Sequence, residues 1–401
     1  MRKKINVYLF YLIKLFSFDC HVNKICIKLF GFIPFLKIKS DRFFVQTKNQ
    51  FEVFSDAITI SNVKKSKNKI LIIEPNMKYH SECLSGYIKY FNDLGYKPDV
   101  ILSYDNYNLQ PFIRCNQLSF DTFPIYDYDS LIKLVEDKVF INGYKKILIT
   151  TSIALSGDIF PAFFDNKKQI MSIIHSLKTI DSMNIKQATN NKCYVLSYFK
   201  NNTYPTINPH YFGEVLETQK NEEFVKFISV GRIQKDVKNY DMLVESIRDL
   251  IVRGYKNFEV VLIGWHGNMD FDDDVAKYIN FKGKLSFDEM FLEMEDADFY
   301  LSLLDPNDEK QFEYSYDLAT GSNQLVLAFK KPYLINEQFA NAYKYSQENA
   351  IVYKENNLTE AMINAIEMKQ DDYLKIQDNL RKLSQELYSL SIENIKEELN
   401  D

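Results

Sequence analysis

The feature that most constrains the fold is an alternation that begins at Lys69. Short apolar runs are separated by longer stretches whose apolar residues recur at helical spacing. Ile70 to Glu74, Val100 to Ser103, Lys146 to Thr150, Ile170 to Ile174 and Cys193 to Ser197 read as strands, with helices over Cys83 to Leu94 and Ser130 to Phe140. A turn-rich passage containing Pro205 and Pro209 ends near Asn221, and the pattern then restarts. Phe224 to Val230, Phe258 to Ile263, Asp298 to Leu303, Pro332 to Ile335 and Ala350 to Val352 read as strands. Tyr240 to Arg253, Ser286 to Glu295 and Ser322 to Phe329 read as helices, and two more helices close the chain. Strands alternating with helices at this spacing predict parallel, doubly wound sheets. With 401 residues there is chain enough for two cores. The expected architecture is α/β: two Rossmann-like domains, 61–215 and 216–375, facing a cleft, with an N-terminal extension over 1–60 and a C-terminal helix over 376–401.

The turn after Phe224 to Val230 carries the first functional signal. Gly231 breaks the strand, and the next helix places Leu243, Val244, Ile247, Leu250 and Ile251 on one stripe. That stripe lays the helix on a sheet and holds Arg232, Lys235 and Lys238 near the strand's carboxyl end, where open α/β sheets bind ligands. A guanidinium grips phosphate oxygens in pairs and an ammonium acts as a point charge, so the stretch reads either as a diphosphate site or as a solvated basic loop. Thr320-Gly321-Ser322 opens a helix further on, and its free N–H groups make a second anion site or a simple helix cap. Both lie after strands of one sheet, so convergence on a nucleotide diphosphate is expected.

Taken in order, Val230-Gly231-Arg232, Lys238-Asn239, Ile263-Gly264, Phe281-Lys282-Gly283, Asp296-Ala297-Asp298, and Gly321-Ser322 ahead of Lys331-Pro332 resemble the donor-binding domain of glycosyltransferases with the GT-B fold. They look most like bacterial transferases of capsule or lipopolysaccharide synthesis, near the retaining GT4 group. The resemblance covers about 225 to 345 well and 69 to 215 diffusely. It implies that Gly231, Arg232 and Lys238 bind the donor diphosphate and that Gly321 and Ser322 form the phosphate-facing loop. The group's usual pair of glutamates is missing: Gln324 or Leu325 stands near the second, and Asp317 or Glu313 is a loose substitute for the first. Gln324 can hydrogen-bond a ribose hydroxyl as a neutral amide. Retaining and inverting chemistry both stay open.

On the acceptor side, Tyr79-His80-Ser81-Glu82 falls between the first strand of the first domain and its helix. His80 exchanges protons near neutral pH, and Glu82 would orient it or act as base; a capped helix start with a surface histidine is the alternative. His175 is a second candidate in the cleft, with His210 and His266 weaker. Asp127-Tyr128-Asp129 mimics a metal-binding Asp-x-Asp but reads better as a helix start capped by Asp129, and Asp272-Asp273-Asp274 as a solvated helix start. No metal and no cofactor is expected beyond the nucleotide-sugar donor.

The first 42 residues hold nine Lys or Arg against two Asp, whereas the whole chain has a net charge of −5. Their apolar runs are too short to span a bilayer and lack a small-residue cleavage site, so a basic amphipathic anchor on an anionic membrane surface competes with a helical cap on the protein. The 27 Tyr and 31 Phe accompany abundant Lys, Asn and Ile without a basic face, a compositional drift that does not point to nucleic acid. Five dispersed cysteines fit reduced thiols, not a metal site or a disulfide framework. The expected function is sugar transfer to a glycan or lipid-linked acceptor, in the cytoplasm at the inner face of a bacterial plasma membrane. A nucleotide-sugar epimerase and a catalytically silent subunit of a polysaccharide assembly complex are the alternatives.

Overall fold

The computed structural model describes residues 3–9, 13–21, 24–29, 33–39, 69–136, 141–152, 170–182, 192–200, 203–234, 236–265 and 270–400. The expected Lys235 and His266 lie outside them. Near the N-terminus, β1 (Lys3–Leu9), β2 (Ile13–His21), β3 (Lys24–Leu29) and β4 (Ile33–Lys39) form an antiparallel meander in the order β1-β2-β3-β4. This corrects the helical reading of the extension. Stretches such as Lys3-Lys4-Ile5-Asn6-Val7 and Lys24-Ile25-Cys26-Ile27-Lys28 carry Ile and Val at alternate positions, the period of a strand.

The first half of the body is built on β5 (Ile70–Ile73), β6 (Asp99–Ser103), β7 (Asp121–Ile125), β8 (Lys146–Ile149), β9 (Ile170–Ile174) and β10 (Cys193–Val195). The second is built on β11 (Val225–Val230), β12 (Phe258–Ile263), β13 (Ile279–Gly283), β14 (Phe299–Leu301), β15 (Tyr333–Asn336) and β16 (Ile351–Tyr353). Their orders are β10-β9-β8-β5-β6-β7 and β13-β12-β11-β14-β15-β16. Counted from the first strand of each half, both are 3-2-1-4-5-6, the doubly wound order that opens a crevice beyond the carboxyl ends of the strands. All pairings within the two sheets are parallel. The first sheet is covered on both faces. Leu71 and Ile73 enter one apolar cluster while Ile70 and Ile72 enter the other, so successive side chains of β5 alternate between two cores.

The long helix Gln370–Asn400 ties the halves together and begins earlier than the sequence boundary at 376. At one end Tyr373 packs in the second core and its hydroxyl donates to Asp298 O at 2.9 Å. At the other, Ile395 and Leu399 enter the first half's core, and Glu398 accepts from buried Lys146 and from Lys192. Among the described residues no helix is long and apolar enough to cross a membrane.

Candidate active site

At the carboxyl end of the second half's sheet, two glycine turns and a buried lysine come together. Gly231 (φ 132°) and Gly264 (φ 149°) end β11 and β12 in conformations that side chains resist. A Cβ on Gly264 would lie 1.7 Å from Gly231 O, so the two turns pack backbone on backbone. Beneath Gly231 lies Lys238. It does not project beyond the strand as the sequence suggests but folds back, 6% exposed, donating to Ser229 Oγ at 2.7 Å and Val230 O at 2.9 Å. The cause is local. Asn239 caps the helix Tyr240–Val252 by accepting from Met242 N and also donates to Asp305, which fixes the chain on both sides of the lysine's backbone. Burial pulls the ammonium down to about 7, and among the described residues it pairs with no carboxylate. A buried cation held only by neutral oxygens is an electrostatic deficit that an anionic ligand relieves.

A tyrosine links this turn to the start of the helix that follows Thr320. Tyr300 Oη accepts from Val230 N at 3.2 Å and lies within donating reach of Val230 O (3.3 Å) and Ser322 Oγ (3.1 Å). Lys238 and the start of the helix Gly321–Phe329 therefore share Val230 as a common strut. Thr320 Oγ1 caps that helix, accepting from Ser322 N at 3.3 Å, so the capping reading holds as well. A Cβ built on Gly321 meets nothing within 4 Å, which leaves open space before the helix end. Arg232 is exposed, unlike the buried Lys238, so the two cations meet the site from different depths. Gln324 is 1% exposed: its Nε2 reaches Ser197 Oγ at 3.4 Å, and its Oε1 has no hydrogen-bond partner among the described residues. Trp265, immediately after Gly264, is 58% exposed beside this edge, and its carbonyl accepts from Ile233 N.

The first half faces this edge with a cluster of titratable groups. His80, Glu82 and His175 do come together, and Glu74 joins them. His80 takes a left-handed backbone conformation (φ 73°) ahead of the short helix Ser81–Cys83, and its side chain makes no cap, which removes the capping reading. Its ring meets the edge of His175 with centroids 4.7 Å apart, and its Nδ1 lies 3.9 Å from Glu82 Oε1. His175 Nε2 lies 2.9 Å from Thr150 O, and a carbonyl only accepts, so Nε2 carries the proton and Nδ1 is bare. Desolvation lowers His80 to about 4, and burial followed by His80 lowers His175 to about 3. Both imidazoles are neutral at pH 7. Burial raises Glu82, and it raises Glu74 to about 8 against hydrogen bonds from Asn76 N, Thr150 and Thr151. Glu74 is legible in retrospect as the acid that ends the apolar run Ile70 to Ile73. Tyr300 and Trp265 carry no comparable sequence signal.

A seam locks the halves at the mouth between these groups. Ala319 N donates to His175 O at 2.8 Å and Leu177 N to Asp317 O at 3.2 Å. Asp317, 2% exposed, accepts from Ser176 Oγ at 2.8 Å and Lys178 N at 2.7 Å, while Glu313 binds Lys178 Nζ at 2.6 Å. Both acids named as loose substitutes for the missing glutamate thus bind residues of the first half. Other expectations are settled away from the site. Asp127, not Asp129, caps its helix by accepting from Ser130 N at 2.8 Å. Asp272 and Asp274 hold Arg248, and His210 is buried on Asn208, lowered to about 4 by burial. Among the described residues no group of three or more His, Cys, Asp or Glu is arranged to hold a metal ion.

No protein-family model matches the chain, and no curated protein matches its sequence. Solved structures do match its shape. A glycosyltransferase from Rickettsia africae aligns over 82% of this chain and 97% of its own, with 13% identity and a TM-score of 0.53. An α-glucosyltransferase in complex with UDP and a mismatched 13-mer DNA aligns over 84% and 100%, with 12% identity and a TM-score of 0.51. Sucrose-phosphate synthase from Thermosynechococcus elongatus aligns over 81% and 97%, with 12% identity and a TM-score of 0.50. At these identities the likeness is one of fold: two Rossmann-like domains in the arrangement of GT-B glycosyltransferases.

Proposed function

We propose that this chain is a glycosyltransferase that moves a sugar from a nucleoside-diphosphate sugar, held by its second half, to a hydroxyl of a surface-polysaccharide or lipid-linked acceptor facing its first half. The observation that carries the reading is Lys238: a buried ammonium with neutral partners only, coupled through Val230 and Tyr300 to the open end of the helix at Gly321. As the bond from the anomeric carbon to phosphate oxygen breaks, negative charge grows on the departing diphosphate. A fixed cation and helix-terminal N–H groups stabilise that charge without reorganising, so transfer proceeds without a divalent metal. Arg232, exposed at the rim, meets the outer phosphate, and Trp265 offers a face to the nucleobase.

The acceptor hydroxyl loses its proton as it attacks. His175 Nδ1 and the His80–Glu82 pair are the receiving groups on this side of the cleft. A diphosphate beside the two imidazoles raises both toward the range useful at neutral pH. The basic N-terminal segment would hold the enzyme at an anionic membrane on its cytoplasmic face, close to a lipid-linked acceptor. Incubation with a panel of nucleotide sugars tests the reading by thermal shift. A selective rise in Tm with one nucleoside diphosphate and its sugar supports it; no rise with any of them would contradict it.

A further inference from the structure

Beside the seam lies a hollow of about 370 Å³, within the range of small-molecule sites, that the donor reading leaves unused. Its walls come from both halves: Leu177, Phe199 and Lys200 on one side, Phe312, Tyr316 and Asn341 among those on the other. Two backbone bonds bracket it, Leu177 N to Asp317 O at 3.2 Å and Lys200 N to Ala342 O at 2.9 Å, so it is a preformed site. Phe312 and Tyr316 stay 37% and 47% exposed, with ring centroids 5.8 Å apart, although burying them would be favourable. Gln338, Asn341 and Lys200 are exposed, their amides and ammonium have no protein hydrogen-bond partner among the described residues, and the lining holds no carboxylate.

We infer that this hollow is a subsite for an acidic saccharide unit of the acceptor. Pyranose rings present apolar C–H faces to aromatic rings and hydroxyls at their edges, which side-chain amides donate to and accept from. A lipid tail would leave these polar groups unpaired, and a neutral sugar would leave Lys200 without an anion. Leu177 follows His175 by two residues, and Tyr316 precedes Gly321 by five, so the hollow's walls are continuous along the chain with the segments that carry those residues. The inference rests on the glycosyltransferase reading.

The test measures binding of digalacturonate, of neutral lactose and of UDP by calorimetry and saturation-transfer NMR, on the wild-type chain and on Tyr316→Ala, Asn341→Ala and Lys200→Met. Circular dichroism checks the fold of each variant. Expected is digalacturonate binding weakened tenfold or more by Tyr316→Ala and Asn341→Ala, with its preference over lactose abolished by Lys200→Met and UDP binding unchanged throughout. UDP binding without digalacturonate binding, or digalacturonate binding equal in all variants, overturns the subsite and leaves the transferase reading standing. Absence of UDP binding from the wild-type chain removes that reading and the subsite with it.

Discussion

Replacing Lys238 by methionine should weaken nucleotide binding while leaving the fold as stable or more stable, an unusual pairing for a buried residue. The lysine's Nζ is held by Ser229 Oγ and Val230 O. Each keeps another bond when the ammonium is removed: Ser229 donates to Leu301 O at 3.0 Å, and Val230 O stays within reach of Tyr300 Oη at 3.3 Å. Little is orphaned, and methionine retains most of the apolar stem. Burial holds the ammonium at about 7 against 10.5 in an ordinary lysine. At about 1.4 kcal/mol per unit, keeping it charged in the folded state costs on the order of several kcal/mol, which the variant no longer bears. The sign with pH follows. Between 7 and 10.5 the unfolded chain holds a proton that the folded chain has lost, so wild-type stability rises across that window and the variant lacks this rise. Donor binding should fall by about 1.5 to 3 kcal/mol, roughly ten- to a hundredfold, for a charged hydrogen bond to phosphate. In the wild type, diphosphate binding above pH 7 should also take up a proton. Calorimetry in two buffers of different ionisation enthalpy reads that uptake, and thermal melts from pH 6 to 9 read the stability. A variant that is destabilised at all pH values yet binds nucleotide normally would refute the reasoning and make Lys238 a structural residue.

Three further outcomes are expected. Glu74→Gln should be nearly neutral for stability at pH 5: the folded acid is raised to about 8, so its contribution is complete below about 4.5 and lost as pH rises through 8, and only the wild type should show that decline in melts. His80→Ala and His175→Ala should lower turnover by roughly a hundred- to ten-thousandfold with donor affinity nearly intact, and a wild-type turnover number in both would remove proton transfer from this cluster. Asp317→Ala should leave Ser176 Oγ and Lys178 N without their acceptor and loosen the seam; hydrogen exchange at 175–178 and 317–319 should accelerate before global unfolding does, and unchanged protection there would show the seam independent of this carboxylate.

The two sheets were legible because both halves bury their strands on two faces, which produces continuous apolar runs such as Ile70 to Ile73 and Val260 to Ile263. Within the two sheets, the strands missed were β7 and β13. Each is an edge strand with one partner, β7 carries Pro124, and β13 is only partly buried, so neither needs an apolar run. In the candidate site, Gly231 and Lys238 stood out in the sequence because a glycine and a cation after a strand have few local purposes. The orientation of Lys238 did not, since it depends on Asn239 reaching Asp305 on another loop. The contacts of Gln324, Asp317 and Glu313 with Ser197, Ser176 and Lys178 of the other half were not legible for the same reason: they join residues far apart along the chain.

The central claim is that the second half binds a nucleoside diphosphate through a fixed cation and a helix end. Trp265 is the chain's one tryptophan and stands at that edge, 58% exposed. Its fluorescence should change saturably on titration with UDP, GDP or ADP in the presence of EDTA, with the matching nucleotide sugar competing, and Tyr300→Phe should weaken the response by loosening Ser322 from Val230. A flat titration confirmed by the absence of binding heat, or a response that appears only when magnesium or manganese is added, would contradict the account.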